Sequence, residues 1–343
     1  MEHYARRWPG EVTLAAAAAT SAPGATLGAT TTIEDELPFG LCLRSDWATA
    51  VRDSRPDVLV APLISRAVEL AEHLTSTIFS AEFTPEDLRD HELSSTRSLM
   101  GRTRVRVGSR RRMRQFEKLA QLARGVQCNG YAAYERFGRL SHRPMLYFDT
   151  RLTADHVARA RATPREIPEK GPRLGFSGRL VRAKGPEFAL AVTETLQREG
   201  LDPHLDVFGL GEMRTIFRED ASHVDLHGSV PFDPDWTSFV TQHLDLMILP
   251  HVQGDPSGTY LESAGCGVPV LGFANVALGP LVKRHRIGWT TPVRDAAALA
   301  RQAYQVLTHP DEWRAARAAG LDFMEEHHVD AEFDRRVAHL LAV

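Results

Sequence analysis

Three cysteines in 343 residues, Cys42, Cys128 and Cys266, are too few and too far apart to frame a disulfide scaffold or to supply a paired metal site. They fit a reducing compartment, and a cytoplasmic location is expected. No apolar run approaches the length that crosses a bilayer. The net charge is only -3, which argues against bulk attraction to nucleic acid or anionic lipid. A hydrophobic share of 43% and a charged share of 25% belong to an ordinary globular chain. The opening MEHYARRWPGEVTLAAAAATSAPGATLGA has the outline of a secretory signal. Pro9 and Glu11 interrupt it, however, and alanine makes a weak apolar centre, so EVTLAAA reads as a buried strand.

At this length two domains are the default. In the second half, short apolar strands are expected at Leu174 to Ser177, Leu205 to Phe208, Val224 to Leu226, Leu244 to Leu249 and Val268 to Phe273. Helical patterns separate or follow them, at Glu187 to Arg198, Met213 to Glu219, Asp235 to His243, Thr259 to Ala264, Ala277 to His285 and Asp295 to Leu307. Such alternation implies a parallel sheet covered on both faces, a Rossmann-like domain. The first half reads as the same class, with strands at Val12 to Ala16, Asp57 to Ala61, Thr77 to Ser80, Arg104 to Val107, Gly125 to Cys128 and Met145 to Phe148. Helices fit Trp47 to Ser54, Arg66 to His73 and Arg111 to Arg124. The polar stretch Thr150 to Pro172 reads as the interdomain linker, and Asp311 to Val343 as two helices. The expected organisation is therefore α/β, with two Rossmann-like domains (1–160 and 161–325) facing across a cleft and a final segment, 326–343, crossing back. Clefts between domains are preferred ligand sites.

Glu262 is the only charged side chain between Pro256 and Lys283, in an otherwise apolar and glycine-rich run. A carboxylate there is costly unless something pairs with it. Open α/β sheets bind ligands outside the carboxyl ends of their strands, so Glu262 is a candidate for holding ligand hydroxyls at that edge. In GFSGRLVRAKGPEF a strand ends at Gly178, and Arg179, Arg182 and Lys184 follow before Pro186 opens a helix. Cations beside a helix N-terminus make an anion site suited to phosphate. DVFGLGEM places Gly209 and Gly211 after a strand, a weak signal by itself, and neither a third glycine nor a suitably spaced acid completes a dinucleotide fingerprint. A nicotinamide-dependent dehydrogenase is correspondingly disfavoured.

Taken in order, GRLVRAKG, FGLG, VDLHGSV and DLMILPHVQGDPSGTYLESAGCGVPVLGF resemble the retaining glycosyltransferases of family 4, group 1, which have the two-domain GT-B fold. The resemblance covers about Leu174 to Leu307. It implies a nucleotide-sugar donor, UDP- or GDP-linked, held by the second domain, with no metal expected, and an acceptor (glycan, lipid-linked or small molecule) held by the first. Arg179 and Lys184 would neutralise the diphosphate, and Glu262 would accept from the ribose hydroxyls. His227 to Val230 would lie against the base, and the backbone around Ser257, Gly258 and Thr259 would face the diphosphate or sugar. Gly178 and Gly209 would line the same edge.

Several departures shape further expectations. Gly254 stands where the family carries the first of two glutamates, and Asp255 could replace it by touching the transferred sugar. Asp255 followed by Pro256 also suits a helix N-cap. The family's first strand and glycine-containing loop precede a helix such as HYARRWPG, which here opens the chain, so either the sequence begins after that strand or the acceptor domain is trimmed. In place of the family's frequent histidine near the donor sugar, the end of TIFSAE offers Glu82 as an acceptor- or sugar-facing carboxylate. These departures also motivate a catalytically silent scaffold subunit as the alternative. RTRVRVGSRRRMR holds seven arginines, read either as a solvated face or as the approach for a phosphate-bearing or lipid-linked acceptor, with peripheral membrane contact but no nucleic acid. EEHHVD reads as a solvated helix end, since the sequence places no third metal ligand beside it.

Overall fold

The structure, a computed structural model, describes residues 1–18, 36–84, 89, 98–217 and 222–342. Parts of two expected features, the alanine run beyond Ala18 and the end of the Met213 to Glu219 helix, lie outside them.

The second domain is built on six parallel strands among the described residues: β7 (Arg173–Ser177), β8 (His204–Phe208), β9 (Val224–Gly228), β10 (Leu246–Leu249), β11 (Val270–Phe273) and β12 (Gly288–Thr291). Their spatial order is β12-β11-β10-β7-β8-β9. The order reverses at β7, which pairs with β8 on one side and β10 on the other. A crevice opens at such a reversal, beyond the strands' carboxyl ends. That is where the Arg179–Lys184 loop and the loop after Pro250 begin. β7, β10 and β11 are almost fully buried, which explains their unbroken apolar runs.

The first domain carries β3 (Leu59–Pro62), β4 (Thr77–Ala81), β5 (Gly125–Asn129) and β6 (Pro144–Tyr147), all parallel in that order. β1 (Thr13–Ala17) and β2 (Gly40–Arg44) form a separate parallel pair. β1 forms where expected, yet it is not buried, because the Trp47–Ser54 helix packs against this pair while much of the rest stays wet. The β-strand expected at Arg104 to Val107 is instead part of one helix, Leu99–Leu122. Ser98 caps it by accepting from the Gly101 amide, and arginine is a good helix former. Four alternating residues were too short a stretch to separate the two periods. Met100 and Val107 stand exposed on this helix among the arginines.

The stretch read as a linker holds a helix, Ala154–Ala162, whose Val157 and Ala160 are buried in the core of the second domain. The boundary expected at residue 160 thus falls inside a helix. Pro310–Glu326 packs on the Gly258–Gly265 helix, and Val329–Leu341 lies against the first domain. There Arg336 donates to the Gln127 side chain (Nε to Oε1, 2.8 Å) and stacks 4.0 Å from the Tyr147 ring centre. In EEHHVD, His327 pairs with Glu332 at 2.6 Å and His328 caps the last helix. No helix among the described residues is long and apolar enough to cross a membrane.

Candidate functional site

The cleft edge of the second domain is assembled by close backbone approach. Gly209 has φ 129°, and a Cβ placed on it would lie 1.9 Å from the Gly178 carbonyl oxygen. The loops after β7 and β8 are therefore pressed together where only glycine fits. Gly185, at φ 68°, does the same against Pro250: a Cβ would meet its carbonyl oxygen at 2.4 Å. The RAKG loop is further tied to the loop after β10 by Val252 N–H donating to the Ala183 carbonyl at 2.9 Å. Gly209→Ala is expected to destabilise the protein by roughly 3 kcal/mol or more, a clash plus a strained φ. Urea denaturation of the variant measures it.

Lys184 and Asp255, singled out from separate motifs, meet here. Lys184 Nζ lies 3.0 and 3.3 Å from the two Asp255 carboxylate oxygens, and both residues are largely enclosed. Asp255 is not the cap of the following helix. That helix spans Gly258–Gly265 with Ser257 in the N-cap position, so the capping alternative gives way to the ion pair. Arg179 extends from the Gly178 turn as an exposed side chain with no hydrogen bond or ion pair among the described residues. The anion site thus has one held cation and one open one.

Glu262 sits on the second turn of the Gly258–Gly265 helix and is 3% exposed. Its partner lies 111 residues away: Arg151 donates to both carboxylate oxygens, Nε at 2.7 Å and Nη2 at 2.9 Å. The Arg151 guanidinium also lies 3.8 Å from the centre of the Phe232 ring. Sequence reasoning missed Arg151 because nothing near it in the chain marks it, and it falls in the stretch taken for a linker.

On β9, His227 stacks on Phe208 and its Nε2 lies 2.8 Å from the buried Asp206 carboxylate. Gly228 accepts from the Gly209 amide at 2.6 Å, and Val230 packs on the core near Trp236. His204, Asp206 and Asp225 come close enough to share an ion, but Arg173 already donates to Asp206 at 2.6 and 3.0 Å, so the acids there are answered by a cation.

Below the loop after β10, His251 is fully buried and exchanges a hydrogen bond with the Tyr260 hydroxyl at 2.8 Å. Asn275 donates to the His251 carbonyl at 3.0 Å. Burial, and next the charge of Lys184, hold the His251 imidazole well below its ordinary value. In the unfolded chain it takes a proton near pH 6.5, before the folded form can. Stability contributed by the neutral ring is therefore present above that pH and lost below it. Relative to His251→Gln, the protein should lose up to ~1.4 kcal/mol per pH unit below about pH 6.5, read from denaturation at pH 7 and pH 5.

Across the cleft, an interdomain cavity is lined by Asn129, Tyr131 and Asp149 on one side and by Ser257, Gly258 and Tyr260 on the other. Asn129 accepts from the Asp149 amide at 3.1 Å and so fixes the turn after β6. Burial raises the Asp149 carboxyl above the usual carboxylate range. Glu82, directly after β4, is raised by burial too and then by the charge of Asp149. Glu82 directly follows β4 and Asp149 lies two residues after β6, so both acids stand at the carboxyl ends of the first sheet. Tyr131, on the cavity wall, meets His285 of the second domain at 2.6 Å. Ser257, Gly258, Lys184, Asp255 and Glu262 thus gather around one helix start. Gly178, Gly209 and Arg179 occupy the neighbouring loops, while Thr259 lies in the first turn itself.

Residues 171–309 match the family described as glycosyl transferases group 1. A 2-deoxystreptamine N-acetyl-D-glucosaminyltransferase of Streptomyces fradiae is 27% identical over 248 residues, covering 57% of this chain and 58% of that protein. A 2-deoxystreptamine glucosyltransferase of Streptomyces kanamyceticus is 26% identical over 182 residues, covering 49% and 47%. The chain thus spans about half the length of these relatives. Among solved structures, that of Anabaena Alr3699/HepE in complex with UDP and glucose has the same fold. Its TM-score is 0.62 over 89% of this chain and 86% of that one, at 13% identity.

Proposed function

We propose, from the premise that residues 171–309 are a group 1 glycosyl transferase domain carried on a GT-B fold, that this chain moves a sugar from a nucleotide-sugar donor to an acceptor held by the first domain. The observation that carries the reading is the convergence of Lys184, Asp255 and the Gly258–Gly265 helix start at the sheet's reversal point. A diphosphate placed there meets the free amides of the helix, Lys184 and the open guanidinium of Arg179. Those donors oppose the negative charge that grows on the leaving diphosphate, usually the largest catalytic term. Glu262 accepts from the two ribose hydroxyls, and the segment His227 to Val230 flanks the base, from a UDP- or GDP-linked donor. Asp255, anchored by Lys184, reaches the transferred sugar.

Transfer proceeds with retention: the acceptor hydroxyl attacks from the face the diphosphate leaves, and a phosphate oxygen takes its proton. Much of the rate then comes from positioning. On the acceptor side, Glu82 and Asp149 suit a ligand bearing amines, which agrees with the 2-deoxystreptamine substrates of the two Streptomyces relatives. Binding to the native state alone raises the melting temperature. UDP or GDP is expected to produce such a shift, and one UDP- or GDP-sugar should slowly release free sugar. Failure of every nucleotide and every donor in a full panel would overturn the reading and leave a silent scaffold. Product stereochemistry by NMR tests retention, and incubation with 2-deoxystreptamine tests the acceptor class.

A further inference from the structure

The pairing of Arg151 with Glu262 is in conflict with the role given to Glu262. A carboxylate that takes a ribose diol must offer both oxygens to the cleft. Here the side chain is only 4% exposed, and the group that covers it is the Arg151 fork, at 2.7 Å on one oxygen and 2.9 Å on the other. The cover itself is wet: Arg151 is 63% exposed, and Phe232 supports one face of its guanidinium. The fork fills one lone-pair site on each oxygen, and with the side chain only 4% exposed the remaining sites are closed to a diol while Arg151 stays in place. Access for a ribose to Glu262 would require Arg151 to move.

The displaced guanidinium has a destination nearby. A Cβ on Gly258 would lie 3.4 Å from Glu262 Oε1, so the fork already sits within one helical turn of the N-terminus where the diphosphate is placed. Arginine grips phosphate oxygens as it grips a carboxylate, by paired N–H donors. Arg151 lies in the segment that leaves β6 of the first domain and enters the core of the second at Leu152, so the exchange would act where the two domains join.

We propose that Arg151 is a phosphate ligand of the donor, stored on Glu262 until a nucleotide arrives: the ribose diol takes the carboxylate and the diphosphate takes the guanidinium. This rests on the reading of Glu262 as the ribose acceptor. It predicts opposite effects on two halves of one ligand. In calorimetric titrations with uridine and UDP, and with guanosine and GDP, Arg151→Gln should bind the nucleoside several-fold more tightly and the diphosphate about tenfold more weakly, the loss of one charge-assisted contact. Arg151→Lys, which keeps the charge but not the paired donors, should gain nucleoside affinity and hold the diphosphate within a few-fold. If Arg151→Gln shifts both ligands equally, or neither, the exchange is wrong. Should that variant fail to fold, unchanged nucleoside affinity in Arg151→Lys overturns it as well. Glu262→Gln separates this from the underlying reading: wild-type affinity for both ligands in that variant removes Glu262 from the site.

Discussion

Replacing Arg179 by alanine is expected to slow the proposed sugar transfer by about two to three orders of magnitude, as loss of one preorganised donor does elsewhere, while barely moving the melting temperature. The dissociation follows from its surroundings. Arg179 is exposed and has no hydrogen bond or ion pair among the described residues, so stability should change by no more than ~0.5 kcal/mol. Its loop is held instead by backbone contacts, with Gly178 N–H donating to Phe208 and Leu180 N–H to Leu210, both at 2.9 Å. Arg179→Lys should recover part of the rate, since an ammonium supplies charge without the paired donors. Turnover of the donor and thermal denaturation, measured on the same preparations, check this. A melting temperature that falls in step with activity would make Arg179 a structural residue.

Glu262→Ala is expected to act on binding. Removing two hydrogen bonds to a charged acceptor, at ~1.5 kcal/mol each, is partly offset because Arg151 no longer has to leave Glu262, so the nucleoside diphosphate should weaken by roughly tenfold or more. The cost to stability is smaller. Arg151 is 63% exposed, so losing its partner strands no buried charge, and an ion pair open to water on one side contributes about 1 kcal/mol or less. Calorimetry against UDP and GDP, with denaturation as the control, gives both quantities. If the variant binds nucleotide as the wild type does, Glu262 serves only to anchor Arg151.

The second domain was largely legible because its strands are buried on both faces and its turns are forced. β7 and β10 appear as apolar runs followed by Gly178 and Pro250, β8 stops at Gly209, β11 starts directly after Pro269, and Pro186 opens its helix as expected. β12 was missed: Gly288–Thr291 is a short edge strand that begins with glycine and carries two threonines. The first domain was harder. β2 is five half-wet residues, and the arginine-rich stretch alternates over too few positions to reveal that it is helical.

What the sequence alone offered is a set of candidates: Glu262, a lone charge in an apolar run, Arg179 and Lys184, cations beside a helix start, and Asp255, raised by the resemblance. It also determined the parallel α/β class, since burial on both faces writes itself into continuous apolar runs. Only the tertiary structure decided which of these charges answer one another. Lys184 meets Asp255 because Gly185 lets their loops touch, and Glu262 meets Arg151 across 111 residues. Electrostatic pairing depends on distance in space and on exclusion of water, and a single sequence records neither.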